Sequence, residues 1–303
     1  GAGAGDRFGD IAERGDRRMS PEEMMTRHAR SFAPAARLLG PSDRARIARL
    51  YALCRMVDDL ADTVGGPEVT ARLDRLTRDL EDERSPDPLA IEAQALFAGR
   101  PAGRAAFRHL VSTVAQDTGD TQIADEAAFD RYCHGVAGTV GLMVCALFDI
   151  DPRWHAAAAD LGKAMQITNI CRDVRADAEA GRRYLPGTLC PHTPAVIARA
   201  ESQPEVAADL REAVAHLLAR ADALYSSGRS GLPALPLRLR LAVAAAARMY
   251  AGIGDGLRAR HCDPLPGRVY VPARRKIGLA SAGVLGSLWP MARMQPGGRH
   301  AAT

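Results

Sequence analysis

The stretch Tyr51-Ala-Leu-Cys-Arg-Met-Val-Asp-Asp-Leu-Ala-Asp62 combines an apolar segment with a row of polar side chains. The polar side chains recur at spacings of four, three and four, so they share one face of a helix. They are Tyr51, Arg55, Asp58 and Asp62. Asp59 lies just beside that face. The other positions are mostly apolar, which predicts a helix that is buried on most of its sides.

A second stretch, much later in the chain, repeats this chemistry. Its polar side chains recur at spacings of three, four and four, again on one helical face. They are Gln166, Asn169, Asp173 and Asp177. Either acidic ladder alone is typical of a solvated helix surface. The apolar residues that flank both ladders favour burial instead, and buried carboxylates need partners.

Carboxylates four residues apart on a helix repel one another. A divalent cation removes this repulsion, and Mg²⁺ prefers to bind one or two carboxylates together with the phosphate oxygens of a substrate. Two acidic helix faces across a cleft therefore predict a Mg²⁺-dependent diphosphate site.

The rest of the sequence predicts helices and no convincing strand. The periodic segments run roughly from Ser42 to Asp62, Val69 to Glu83, Ala90 to Phe97, Ala102 to Gln116, Glu126 to Phe148, Pro152 to Asp177, Glu205 to Ser226 and Leu235 to Ala259. Short Gly- and Pro-rich turns separate them, and none is long enough for an interdomain linker. We expect an all-α protein with a single domain over residues 19–303, preceded by a flexible leader with a cloning remnant at residues 1–18.

Composition excludes some classes of function. Lys and Arg total 40 against 36 Asp and Glu, and the arginines are dispersed, so no nucleic-acid partner is expected. The six cysteines form no CxxC pair, and no apolar run is long enough to span a bilayer. We expect a cytoplasmic protein, at most peripheral to a membrane. No Gly-rich dinucleotide loop is present, so NADPH is not an expected cofactor.

Five segments, taken together, resemble the squalene synthase and phytoene synthase family. They are His28-Ala-Arg-Ser-Phe32, Tyr51 to Asp62, Tyr132-Cys-His-Gly-Val-Ala-Gly-Thr-Val-Gly141, Gln166-Ile-Thr-Asn-Ile-Cys-Arg-Asp-Val-Arg-Ala-Asp177 and Gly181-Arg-Arg-Tyr-Leu-Pro186. The resemblance extends from about His28 to Lys276. It implies the isoprenoid-synthase fold, a helical bundle around a central apolar cavity, and a prenyltransferase activity that releases diphosphate.

The resemblance also implies roles for individual residues at the diphosphate end of the site. The implied ligands of two or three Mg²⁺ ions are Asp58, Asp62, Asn169, Asp173 and Asp177, with Gln166 completing the second motif. Guanidinium and ammonium groups suit diphosphate oxygens. The implied cationic contacts are Arg55, Arg172, Arg268 and Lys276.

The remaining implied site residues would contact other parts of the substrate. His28 and Ser31 match polar positions, whereas Phe32, Tyr51 and Tyr132 match aromatic residues whose rings can stabilise an allylic cation. Tyr132 would also steer or relay a proton. Phe148 is predicted on the same helix as Tyr132, several turns deeper, where it would limit the tail channel.

Gly138 and Gly141 lie inside the predicted helix that contains Tyr132, and glycine is unfavourable within a helix. Their presence predicts an irregularity where the backbone makes room for substrate.

The allylic diphosphate donor can have either of two acceptors. Head-to-head condensation with a second prenyl diphosphate, giving phytoene, dehydrosqualene or squalene, is favoured because the segments at residues 140–144 and 181–186 resemble those of bacterial phytoene synthases. Transfer of a prenyl group such as dimethylallyl to an aromatic acceptor such as a carbazole, in a natural-product pathway, is the alternative, supported by Ala36, His134 and Phe148.

A catalytically inactive assembly factor is disfavoured because both acidic ladders are complete. Donor length and oligomeric state stay open.

Overall fold

A computed structural model describes residues 19–28, 33–64, 67–82, 85–118 and 121–269, together with positions 278 and 283. At residues 33, 34, 62–64 and 67 it describes the backbone alone. These parts of the chain form a bundle of α-helices, and the β-type pairing within them is one isolated bridge between Gln122 and Arg183. The predicted all-α class is confirmed.

The α-helices of the described residues are α1 (Pro21–His28), α2 (Ala33–Ala36), α3 (Pro41–Val64), α4 (Pro67–Asp79), α5 (Pro88–Leu96), α6 (Pro101–Gln116), α7 (Glu126–Cys133), α8 (Thr139–Leu147), α9 (His155–Glu179), α10 (Pro194–Ile197), α11 (Pro204–Ser230) and α12 (Leu237–Arg258). Five of the longer helices begin at a proline, one or two residues before the predicted start. Proline fits the first turn because its missing N–H would have no helical partner there.

The predicted helix from Glu126 to Phe148 is helical as far as Leu147 but not uniform. A π-helical turn, His134–Gly138, separates α7 from α8. Helix α9 crosses here so closely that a Cβ at Gly141 would overlap the carbonyl of Ala158. The space at Gly141 is therefore taken up by α9, which corrects the prediction that it is made for substrate.

Two large apolar clusters build the interior. The α9 core surrounds the central helix and includes Phe129, Ile167, Leu210, Leu217 and Leu257. The α3 core joins α3 to α4, α5, α6 and α8. Its buried members include Leu53, Val57, Leu73, Phe107 and Met143. The two acidic ladders thus lie on helices that belong to different apolar cores.

A third apolar group, the end cluster, is formed by α1, α2, α3 and α12 at one end of the bundle. Its members include Met25, Ala36, Leu39, Ile47 and Leu239. All six cysteines lie in described segments as free thiols, as their spacing predicts. None of the helices in the described segments has the length and hydropathy needed to cross a membrane.

Candidate active site

A cavity of about 260 Å³ lies between the α3 core and the α9 core. Helix α3 contributes Arg55 and Asp58 to its wall, and α9 contributes the whole second ladder. The lining residues are Arg55, Asp58, Ala61, Val114, Asp117, Tyr132, Val136, Gln166, Asn169, Ile170, Asp173, Asp177, Arg182 and Tyr184. Two polar helix faces that are far apart in sequence therefore border one space.

On the α3 wall, Arg55 forms an ion pair with Asp59, one turn further along the helix. Asp58 lies exposed at the cavity. Asp62 is in the last turn of α3, where the backbone alone is described. Tyr51 lies one turn before Arg55, outside the cavity lining, and packs on the end cluster. Burial raises the pKa of Tyr51 to about 12, so this phenol keeps its proton at neutral pH.

On the α9 wall, Asp173 is held by two guanidinium groups. Arg172 Nε donates to Asp173 Oδ1 over 2.8 Å. Arg268, in the loop after α12, approaches Oδ1 through Nε at 2.9 Å and Oδ2 through Nη2 at 3.1 Å. These arginines, predicted as diphosphate contacts, therefore bind a carboxylate at the edge of the cavity in this structure.

The inner part of the α9 ladder is electrostatically unfavourable. Burial and the charge of Asp173 raise the pKa of Asp177 to about 7. Asn169 Oδ1 is a buried acceptor, and none of the described residues hydrogen-bonds to it. Both groups would be stabilised by a cation in the cavity, because it would offset carboxylate repulsion and satisfy the amide oxygen.

The donor set fits a hard divalent cation. Among the described residues, no three His, Cys, Asp or Glu side chains already lie close enough to share an ion. Mg²⁺ does not require such a cluster, since it commonly uses one or two carboxylates and fills its other positions with substrate phosphate and water. The available protein oxygens at this cavity belong to Asp58, Asn169, Asp173 and Asp177.

Three polar residues of the cavity lining were not assigned a role from sequence: Asp117, Arg182 and Tyr184. Arg182 and Tyr184 lie within the segment Gly181 to Pro186, one of the five that carry the family resemblance, and this was the available signal in the sequence. Asp117 ends α6 as its C-cap residue. A carboxylate is unfavourable at that end of a helix dipole, and this anomaly was the only indication of its importance.

Other predicted residues lie away from the cavity lining. His28 is exposed at the end of α1. Phe148 caps the C-terminus of α8 and contacts both the α3 core and the end cluster. It lies about 18 Å along the helix from Val136, at a rise of about 1.5 Å per residue. Ser31, Phe32 and Lys276 lie outside the described residues.

Comparison with known proteins identifies relatives over most of the chain. Residues 25–275 match the squalene/phytoene synthase family. A 15-cis-phytoene synthase from Paracoccus sp. is 33% identical over 291 residues, which cover 91% of this chain and 92% of the relative. A phytoene synthase from Cereibacter sphaeroides is 32% identical over 276 residues, covering 84% and 76%.

A solved structure supports the same conclusion. The crystal structure of a dehydrosqualene synthase in complex with ligand superposes with a TM-score of 0.73 at 26% identity, covering 87% of this chain and 93% of that one. The chain belongs to the squalene/phytoene synthase family, whose members are prenyltransferases that release diphosphate.

Proposed function

We propose that this protein is a Mg²⁺-dependent prenyltransferase that condenses two allylic prenyl diphosphates head to head. The observation that carries the proposal is the meeting of both acidic ladders at one cavity between two apolar cores. The names of the relatives, which include phytoene synthases, favour two prenyl diphosphates as the substrates.

The polar end of the cavity suits diphosphate departure. Asp58, Asn169, Asp173 and Asp177 would hold the metal ions, which when bound neutralise the charge that develops on the leaving group. Arg172 and Arg268 already lie at this end, against Asp173. If metal ions bind that carboxylate, the two guanidinium groups become available to diphosphate oxygens.

The inner walls suit the allylic cation that remains. Val114, Val136 and Ile170 give one part of the cavity an apolar wall, and the rings of Tyr132 and Tyr184 offer π faces to a positive charge. Protection from water matters because water would capture the cation before the second prenyl group attacks.

Beyond the cavity, α8 leads toward the end cluster. Tyr51 and Phe148 both contact that cluster, so they lie where a prenyl tail passing between α3 and α8 would end. We propose that Phe148 helps to set the accepted chain length.

Transfer to an aromatic acceptor is the second candidate. Its structural support is the placement of Ala36 and Phe148 together on the end cluster, where a ring beside a small residue can shorten the channel. His134 gives it none, since this ring packs on His109 at a centroid distance of 5.5 Å and does not line the cavity.

A single set of incubations separates these candidates. Purified protein is incubated with Mg²⁺ and one substrate at a time: dimethylallyl, geranyl, farnesyl or geranylgeranyl diphosphate. The products are identified by mass spectrometry. A dimeric hydrocarbon or a cyclopropyl diphosphate supports head-to-head condensation. Diphosphate release without any dimeric product, together with prenylation of an added carbazole, contradicts it and supports the second candidate. Asp58→Asn protein serves as the background control.

A further inference from the structure

Asp117 is a carboxylate of the candidate active site that belongs to neither acidic ladder. It caps the C-terminal end of α6 and borders the cavity together with Asp177 and Arg182. A negative charge at this end of a helix opposes the dipole, and partial burial adds a desolvation cost. Burial indeed raises the pKa of the Asp117 carboxyl. Such a placement needs strong compensating contacts.

Two tyrosine hydroxyl groups supply part of this compensation, beside the Thr121 side chain and the charge of Arg182. Tyr132 Oη donates to Asp117 Oδ2 over 2.9 Å, and Tyr184 Oη donates to the same oxygen over 2.8 Å. The two rings are stacked, with centroids 5.0 Å apart and planes inclined by 20°. All three residues line the cavity. One carboxylate oxygen therefore fixes the orientation of two adjacent aromatic side chains.

The group is assembled by tertiary structure. Asp117 follows α6, Tyr132 lies in the last turn of α7, and Tyr184 is in the loop after α9. The bridge between Gln122 and Arg183 joins the first and last of these segments, with Ile123 N donating to Arg183 O over 3.1 Å and Arg183 N to Thr121 O over 2.7 Å. The loops on both sides of the carboxylate are thus held together.

This arrangement determines what the tyrosines present to the cavity. Because both hydroxyl protons are donated to Asp117, the lone pairs of the hydroxyl oxygens and the ring faces are left for other partners. Negative charge behind the rings strengthens their attraction for a cation in a poorly hydrated space. Without the carboxylate, each hydroxyl group would be free to rotate toward other acceptors.

We infer that Asp117 is a positioning residue for prenyl transfer, which holds Tyr132 and Tyr184 with their oxygens and ring faces toward the allylic cation. This inference rests on the proposed function, because it requires an allylic cation in the cavity. Asp117 acts through the tyrosines and provides neither a metal ligand nor a diphosphate contact.

The kinetic test is a double-mutant cycle with Asp117→Asn and Tyr132→Phe. Asp117→Asn should lower kcat by about 10- to 100-fold, which lies within the coupling expected between residues in contact, and leave KM nearly unchanged. In the Tyr132→Phe background it should lower kcat by a clearly smaller factor, because the partner is already lost. An undiminished factor in that background overturns the inference.

The spectroscopic test needs no turnover. The chain has six tyrosines, and protein labelled with ¹³C at the phenol carbon reports each hydroxyl environment by NMR. Asp117→Asn should shift the resonances of Tyr132 and Tyr184, assigned from the Tyr→Phe variants, and leave those of Tyr51 and Tyr225 in place. Unshifted Tyr132 and Tyr184 resonances overturn the inference.

A metal-binding measurement excludes the competing role. Binding of Mn²⁺ with pyrophosphate, followed by electron paramagnetic resonance, should be the same in wild type and Asp117→Asn, whereas a clear loss would make Asp117 a metal ligand and overturn the inference. Asp125→Asn is the matched control, because Asp125 caps α7 through Ala128 N at 2.7 Å, whereas the hydroxyl groups of Tyr132 and Tyr184 donate to Asp117.

A second variant covers a failure of Asp117→Asn to fold. Tyr184→Phe removes one hydrogen bond to Asp117 and retains the carboxylate. It should shift the Tyr132 resonance and lower kcat; an unchanged resonance and rate overturn the inference. An inactive wild type contradicts the proposed function, whereas an active wild type with an equally active Asp117→Asn contradicts this inference alone.

Discussion

Asp173 and Asp177 lie one turn apart on α9, and the charge of Asp173 adds to burial in raising the pKa of Asp177 to about 7. In the metal-free protein this raised pKa is a cost of folding at neutral pH. An Asp with an ordinary pKa of 3.8 is ionised when the chain is unfolded, whereas folding favours its protonated form. The stability contribution of Asp177 is therefore largest below pH 3.8 and is lost as the pH rises through about 7.

The first prediction follows from that sign. In EDTA, Asp177→Asn should stabilise the protein by about 3 kcal/mol more at pH 8 than at pH 5, since two units of pKa lie between pH 5 and the folded value. Urea unfolding at both pH values measures the difference. Asp74→Asn, at an exposed position of α4, should differ from the wild type in stability by the same amount at both pH values. An equal effect of Asp177→Asn at pH 5 and pH 8 contradicts the pKa assignment.

The second prediction concerns the metal. Chelation of Mg²⁺ should abolish turnover, because the cavity carboxylates and a diphosphate repel each other unless a cation bridges them. Product formation is measured in excess EDTA and again after Mg²⁺ is restored. Restored activity excludes irreversible damage. Full activity in EDTA would show that the acidic ladders do not work through a metal ion.

The third prediction tests the two ladders separately. Asp58→Asn and Asp173→Asn should each reduce turnover by at least about 100-fold, which corresponds to losing about 2.7 kcal/mol of transition-state stabilisation. Each substitution keeps the side-chain shape and removes the charge. Asp74→Asn again serves as the control, and circular dichroism checks the fold. Near-normal rates in both cavity variants would make the ladders ordinary surface residues.

The acidic faces could be found from sequence because helical periodicity places residues three and four apart on one side, whatever the tertiary structure. Asp58 and Asp173 are examples, and both border the cavity. Asp117 could not be found in this way. Its role depends on two partners from distant segments, and no spacing within α6 indicates them.

The contacts of Arg172 and Arg268 were also beyond the sequence pattern. Successive helix residues such as Arg172 and Asp173 do not normally face each other. The arginine side chain is nevertheless long enough to bend toward the neighbouring carboxylate and hydrogen-bond to it. Arg268 lies 95 residues from Asp173 in sequence. Gly138 and Gly141 predict an irregularity in this helix, but not its form or its cause, because the apolar pattern continues through the π-helical turn at residues 134–138 and the close crossing of α9 is a tertiary effect.

The fourth prediction addresses Arg268, which approaches both carboxylate oxygens of Asp173. If it also serves as a diphosphate contact, Arg268→Gln should raise KM for the prenyl diphosphate by about 10- to 100-fold, the effect expected for a hydrogen bond between charged groups. Steady-state kinetics gives the values. Arg153→Gln, at a surface ion pair with Asp151, should leave KM unchanged. An unchanged KM in Arg268→Gln would restrict Arg268 to holding Asp173.

The last prediction concerns Phe148, where α8 meets the end cluster. If its ring limits the tail channel, Phe148→Ala should accept an allylic diphosphate longer by about one isoprene unit than the wild type does. Loss of a buried ring costs up to about 3 to 5 kcal/mol, so folding is checked first.

The neighbouring Leu147→Ala also removes a buried side chain, but from the α3 core, and should keep the wild-type preference. Competition between donors of different length, with product masses as the readout, measures the change. A folded Phe148→Ala with the parent's preference would make Phe148 ordinary core, remove a support of the aromatic-acceptor candidate and strengthen the case for head-to-head condensation.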